Sequence, residues 1–373
     1  MRVVHINYVH DHEGRSPDEL LHAWPTLGAV ATAVHRAGAE VVVLQASRRS
    51  AAIERDGVRY LFVAEPCPRG RRSGFFPWRL SRAAATLKPD VIHVNGLDFP
   101  FHTRALCRLG APVLVQDHAS VSTGRTALRR WGIARAAAVA FTAVDQAEPF
   151  RASGILSPDM PVVAVPESST TFSPAPLEGA RSEAGVHGDP MVLWVGRLDD
   201  NKDPLTILRA IELAMPHLPD LQLWCCFHEE GLLPAIRERL AAAPHLAARV
   251  HLLGKVPHAR IQTLCRAADF FMLGSHRESA GYALLEALAC GATPIVSDIP
   301  SFRVLTGDGA IGALAPMGNP TAFADALIRL AREPRAALRA RAIAHFTRNL
   351  SFDVVGARLL ALYAQLAAGH APR

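Results

Sequence analysis

The chain contains no unbroken apolar run of the roughly 18–20 residues that a helix needs to cross a bilayer. Its opening, MRVVHINYVHDHEG, lacks the apolar core of a secretory signal and reads as a first β-strand. Together these absences lead to the expectation of a cytoplasmic protein. Cysteine is sparse and scattered: Cys67, Cys107, Cys225, Cys226, Cys265 and Cys290 form no C-x-x-C pair. That argues against a zinc site and for reduced thiols. No G-x-x-x-x-G-K-[ST] loop and no G-x-G-x-x-G turn occurs, which weakens P-loop and dinucleotide readings. Internal repeats and low-complexity tracts are also missing.

What is present is the composition of a globular α/β chain. Of 373 residues, half are hydrophobic and a fifth charged, enough for two domains of roughly 150–200 residues each. A formal charge of +6 suggests an anionic partner without choosing one. Short β-branched runs at 2–7, 40–45, 58–63, 91–95, 112–116, 138–143 and 161–165 alternate with amphipathic stretches. A second series follows at 190–195, 220–226, 249–253, 269–273 and 293–297. Spacers of ten or more residues with helical periodicity predict parallel strands and two Rossmann-like, doubly wound domains. The Pro/Gly/Ser/Thr-rich stretch 165–190 separates the series, giving expected domains 1–170 and 171–350. Two such domains make a cleft at the carboxyl ends of their strands, where ligands bind.

The strongest chemical signal is RESAGYALLEALACGATPIVSD at 277–298. A strand at 268–273 leads through Glu278, Ser279, Ala280 and Gly281 into a helix that stops at Gly291. The amides and positive dipole end of that helix suit a diphosphate. Glu278 and Glu286 are eight residues apart, about 12 Å along a helix, so an extended nucleotide sugar could meet one with its hexose and the other with its ribose. Glu278 alone fits a solvent-facing residue. Glu286 sits within ALLEALA, where a carboxylate lacking a partner would cost several kcal/mol. A second signal is VGRLDDNKDP at 195–204, which delivers Arg197 and Lys202 beyond Gly196 to the same edge of a sheet. Both cations suit a leaving diphosphate, although a solvated charged turn has the same composition.

These segments resemble the retaining glycosyltransferases of family 4, which have the GT-B fold. The E-x7-E element is present as Glu278 and Glu286, and the glycine–arginine–lysine loop as Gly196, Arg197 and Lys202. Residues 250–275 resemble the base-binding strand and helix, and VPESSTTFSP at 165–174 the hinge. The resemblance implies that Arg197 and Lys202 hold the donor diphosphate and Glu286 the ribose. It implies that Glu278 holds the donor sugar, with the amides of Ala280, Gly281 and Tyr282 nearby, and that Val256 meets the base through its backbone. VLVQDHAS at 113–120 resembles the element carrying the active-site histidine, which implies His118. The implied reaction is front-face transfer of a hexose-type sugar from a nucleotide-diphosphate donor to an acceptor hydroxyl, with retention and without a metal. No cofactor beyond the donor substrate is implied. The acceptor is a small molecule, a glycan or a lipid-linked sugar.

The sequence departs from the family pattern in three places. The loop 7–21 lacks paired glycines, FHEEG at 227–231 replaces a glycine-rich turn, and Glu167–Ser168 replaces the asparagine–glycine pair of the hinge. In the resembled fold a closing helix, here 351–373 with Ser351 as its cap, returns to the first domain. Three weaker features complete the reading. His5, His10 and His12 with Asp11 could ligate a metal but stand in a short loop. Asp199 and Asp200 read as a solvated turn. Segment 69–82 joins several arginines to Phe75, Phe76 and Trp78, which suits either a peripheral membrane contact with anionic lipid or an exposed loop. Nucleic acid is not expected, since no binding module accompanies the charge. The rival functions are a sugar phosphorylase or epimerase of the same fold, or a non-catalytic nucleotide-sugar-binding protein. No lysine poised for pyridoxal phosphate favours the first.

Overall fold

The computed structural model describes all residues except 12, 66–77, 121 and 370–373. The chain forms two compact α/β units, residues 1–169 with the helix Phe352–Gly369, and residues 170–351. The first unit is built on β1 (Arg2–Asn7), β2 (Glu40–Ser47), β3 (Ala51–Arg55), β4 (Val58–Ala64), β5 (Val91–Asn95), β6 (Val113–Gln116), β7 (Ala138–Phe141) and β8 (Val162–Ala164). They lie in the order β3-β4-β2-β1-β5-β6-β7-β8. Every neighbouring pair is parallel except β3–β4.

The second unit is built on β9 (Met191–Gly196), β10 (Gln222–Phe227), β11 (Val250–Gly254), β12 (Phe270–Leu273), β13 (Thr293–Ser297) and β14 (Ala313–Ala315). Its order is β11-β10-β9-β12-β13-β14, parallel throughout. Among the described residues all twelve expected strands are present, together with two that the sequence does not announce. β14 is a three-residue Ala-Leu-Ala segment, too short to show a period. β3 is an exposed edge strand that turns through Asp56 and Gly57, both at positive φ, into antiparallel pairing with β4. An Asp-Gly pair between short strands is the signal of a tight hairpin, and here it lies between the expected strands 40–45 and 58–63.

Strands covered on both faces have continuous apolar sequences because each face packs on helices. β12 (FFML) and the first four residues of β9 (MVLW) are buried throughout. One group of buried polar side chains in the first unit pairs internally. His5 on β1 and His93 on β5 both hydrogen-bond the hydroxyl of Tyr363, at 3.0 and 2.5 Å. Tyr363 comes from the helix Phe352–Gly369, which also buries Val355, Leu359 and Leu362. That helix packs on the helix Pro25–Arg36 so closely that a Cβ on Gly356 would lie 2.3 Å from the carbonyl oxygen of Ala33. The hydroxyl of Ser351, the residue before this helix, donates back to the carbonyl of Thr347 at 3.1 Å, bonding to the preceding helix Arg335–Asn349.

Among the described residues, one helical run, Arg335–Gly369, is long and apolar enough to cross a membrane by length and composition. It consists of two helices that meet at Leu350 and Ser351.

Candidate active site

In the second sheet the strand order reverses between β9 and β12, and the loops that follow these two strands leave its carboxyl edge side by side. That is where open parallel sheets bind ligands. The first loop leaves Gly196 and ends at Asp203, whose side chain caps the helix Pro204–Ala214 by accepting from the Thr206 amide. The second leaves Leu273 and enters the helix Tyr282–Cys290 through Gly281. Four contacts bind the loops together. Asn201 donates to the Arg277 carbonyl at 3.0 Å, and the His276 amide donates to the Asn201 carbonyl at 2.8 Å. His276 Nε2 lies 3.2 Å from Asp203 Oδ2. Gly274 runs so near Asp203 that a Cβ there would be 3.0 Å from its carbonyl oxygen.

A further contact is the ion pair of Lys202 with Glu278. It joins the two loops, with side chains only 14% and 12% exposed. Ser275 Oγ also donates to Glu278, at 2.8 Å. The lysine and the glutamate, 76 residues apart, therefore share one small polar centre. Arg197, on the same loop, is more exposed and pairs with Asp199 at 3.1 Å. Asp199 also accepts from the Lys202 amide at 2.9 Å, so it shapes the loop and is more than the solvated turn residue expected.

The helix Tyr282–Cys290 has no side-chain cap. Gly281 takes φ +65°, and a Cβ there would approach Leu305 at 2.8 Å and Phe302 at 3.2 Å. Glycine is thus required both by the turn and by the packing. Ala280 is buried beside it, and Tyr282 is exposed. About one turn in, Glu286 faces the first residue of the helix His258–Ala267, and His258 Nε2 lies 2.6 Å from Glu286 Oε1. The histidine is exposed and the carboxylate is not, 69% against 13%. The Glu286 hydrogen bond holds the His258 pKa above its usual value, against partial burial. The partner of the largely shielded Glu286 is therefore His258, which no local pattern in the sequence marks. An aromatic-ring contact of His258 with Phe172, 4.7 Å between centroids, fixes the imidazole further. Val256 lies just before it, half-buried, in the turn after Gly254.

In the first unit, His118 follows β6 and lines a cavity of about 710 Å³. His5, Asn7, Asn95 and Glu167 contribute polar groups to it, and Trp24 and Leu27 apolar ones. His118 Nδ1 lies 3.1 Å from Glu167 Oε2, and Nε2 lies 2.9 Å from Asn95 Oδ1. The next residue along from β6, Asp117, is buried, and burial raises its pKa to about 6.

The proposed metal ligands of the first loop are otherwise engaged. His10 contacts the carbonyls of Asp11 and Glu65, and Asp11 accepts from Arg15. His12 lies outside the described residues. Among the described residues no group of three or more His, Cys, Asp or Glu side chains is arranged to hold a metal ion. Of segment 69–82, residues 69–77 with Phe75 and Phe76 also lie outside them, as does Cys67. Trp78 opens a helix, Trp78–Thr86, and is 73% exposed.

Comparison with known proteins agrees with this architecture. The family model described as glycosyl transferases group 1 matches residues 180–345, and that described as glycosyltransferase family 4 matches residues 26–153. The chain belongs to the family 4-like glycosyltransferases, and its fold is GT-B. The D-inositol 3-phosphate glycosyltransferase of Thermobispora bispora is 31% identical over 204 residues, which are 52% of this chain and 47% of that protein. The chain thus aligns with about half the length of the curated relatives it matches. Two solved structures have the same fold across 98% of this chain and 99% of theirs. The catalytic domain of starch synthase IV from Arabidopsis thaliana, bound to ADP and acarbose, has a TM-score of 0.70 at 14% identity. The Anabaena protein HepE in complex with UDP and glucose has a TM-score of 0.64 at 17% identity.

Proposed function

We propose that the chain transfers a hexose-type sugar from a nucleotide-diphosphate donor to an acceptor hydroxyl, with retention of anomeric configuration and without a metal ion. The observation that carries this reading is the convergence of Lys202 and Glu278 at the strand-order reversal of the second sheet. A diphosphate approaching this edge meets Arg197 and Lys202 as fixed positive charge, beside the start of the helix Tyr282–Cys290, whose N-cap residue is Gly281. Binding it draws Lys202 from Glu278 onto the phosphate, which frees the carboxylate to accept from sugar hydroxyls. Glu286 takes the ribose hydroxyls, with His258 completing its hydrogen bonding, and the Val256 backbone meets the base. The amides of Ala280, Gly281 and Tyr282 lie on the phosphate side of the sugar.

The developing charge on the leaving diphosphate is neutralised by the two cations, so that front-face attack needs no enzyme nucleophile. The acceptor hydroxyl gives its proton to the departing phosphate oxygen. The acceptor, a small molecule, glycan or lipid-linked sugar, occupies the cavity at His118, whose polar floor and Trp24 wall suit a hydroxylated ring. The nucleotides in the two fold neighbours, UDP and ADP, support a nucleotide donor class. The reaction fits a cytoplasmic enzyme, peripheral at a membrane if the acceptor is lipid-linked.

Screening nucleotide sugars for thermal stabilisation, followed by turnover with the stabilising donor, tests the proposal. The expected result is a donor that raises the melting temperature and is consumed in the presence of a chelator, giving a product with the donor's anomeric configuration. Inversion in the product would refute the front-face route. Loss of turnover with chelator, restored by a divalent ion, would refute the metal-free one.

A further inference from the structure

His118 is held from both sides. Its Nδ1 faces the Glu167 carboxylate at 3.1 Å and its Nε2 faces the side-chain oxygen of Asn95 at 2.9 Å. The nitrogen end of the Asn95 amide points the other way, toward the carbonyl of Ile6 at 3.5 Å. A carboxylate and an amide oxygen both accept, so both ring nitrogens must donate, and an imidazole with two N–H groups is a cation. Glu167 is well placed for this. Its side chain is 6% exposed against 36% for His118, so the carboxylate is shielded while the ring reaches the cavity. A buried carboxylate is stabilised by a neighbouring cation, and the cation by it.

We propose that Glu167 is a positioning residue that keeps His118 doubly protonated at the floor of the first unit's cavity, so that His118 meets its ligand as a cationic hydrogen-bond donor and not as a base. The inference rests on the acceptor reading of this cavity, since it concerns how the same site treats a hydroxylated ligand. The ligand atom that replaces Asn95 at Nε2 is then an oxygen lone pair, from a hydroxyl, a ring ether or an anionic oxygen. A base at this position would require Nε2 to be unprotonated, which the Asn95 contact opposes.

Asp117 precedes His118 in the chain, and like Glu167 it favours the imidazolium. His93, on the neighbouring strand, is buried and its pKa lies far below the ordinary value, so it adds no competing charge near neutrality. Asp98, Arg125 and Arg129 line the same cavity, and Arg129 is paired with Asp98 at 3.0 Å. Burial pulls the His118 pKa down, but Glu167 and then Asp117 outweigh it and the net shift is upward.

Side-chain nitrogen NMR of the full chain reads the protonation of His118 without any substrate. In the wild type the ring should titrate above 6.5, with both nitrogens protonated at pH 6.5. Glu167→Gln keeps an acceptor for Nδ1 but removes its charge, and should lower that pKa by one unit or more, a tenfold loss of proton affinity. Glu167→Asp should restore part of the shift. In turnover assays the limb on which activity falls with rising pH should move down by the same amount in Glu167→Gln. A His118 pKa at or below 6.5 in the wild type, or a single neutral tautomer at pH 6.5, would overturn the proposal even if no Glu167 variant folds. An unchanged pKa in a folded Glu167→Gln protein would do the same. A large pKa difference in a protein that turns over no sugar donor would support the pairing and count only against the transferase reading.

Discussion

Lys202 and Glu278 neutralise each other across two loops while most of each side chain is out of water. Removing one partner of such a pair strands the other, which costs more than the pair itself contributes. Lys202→Ala should therefore lower both stability and donor affinity. A lost charge-assisted contact to the diphosphate is worth about 1.5–3 kcal/mol, roughly 10- to 150-fold in the dissociation constant. The Lys202→Ala, Glu278→Ala double variant should recover part of the stability but none of the affinity. Calorimetric titration with the stabilising donor, alongside denaturant unfolding, separates the two effects. Glu286→Ala should weaken donor binding by a similar factor and also return the His258 pKa toward its ordinary value. Unchanged donor affinity in a folded variant would remove that residue from the site.

At the scale of elements, two glycines are fixed by what surrounds them. Gly281 starts a site helix at positive φ against Leu305 and Phe302. Gly356 lets the helix Phe352–Gly369 lie against the backbone of the helix Pro25–Arg36. Gly356→Ala improves helix propensity by about 1 kcal/mol. The new methyl nevertheless meets a backbone carbonyl that cannot move out of its way, and overpacking costs about 1–3 kcal/mol. The expected outcome is a net loss of stability, measured by denaturant unfolding. A more stable variant would show that the two helices are less closely packed. Truncation after Asn349 is a stronger change. It removes Val355, Leu359, Leu362 and Tyr363 from the core of the first unit, so the expected loss is of that unit's cooperative unfolding and not only of turnover.

For the whole molecule, the buried histidines set a pH dependence of stability. Burial lowers the His5 pKa to about 4 and carries His93 well below its ordinary value. Both stay neutral in the folded chain while the unfolded chain takes up protons as pH falls below about 6.5. Their contribution is thus fully present above pH 6.5 and lost between there and about pH 4. From His5 alone the loss approaches on the order of 3 kcal/mol at the acid end. Melting temperature should fall steeply over that window, and His5→Gln should flatten the slope whatever it does to stability at pH 7.5. An identical slope would mean that His5 is not buried as neutral imidazole. His118 works in the opposite sense, since a raised pKa stabilises the fold below the unfolded value and ceases to do so as pH rises through the folded one.

The amino-acid sequence by itself determined the fold class and twelve of the fourteen strands among the described residues, because a strand covered on both faces must be apolar throughout and its periodicity is local. It also determined which residue types stand at the candidate site, since Gly196, Arg197, Lys202, Glu278, Gly281 and Glu286 fall in short segments whose spacing follows a strand and a helix start. Partnership was decided by tertiary structure. Lys202 with Glu278, Glu286 with His258 and His118 with Glu167 are separated by 76, 28 and 49 residues, and nothing in a local pattern links them. The same holds for Tyr363, an apolar-stripe residue in sequence whose hydroxyl serves two histidines on neighbouring strands. Glu167 reads in the sequence as a departure in a hinge, and only the fold brings its carboxylate to an imidazole. Sheet order sets these distances, and sheet order depends on packing summed over the whole chain.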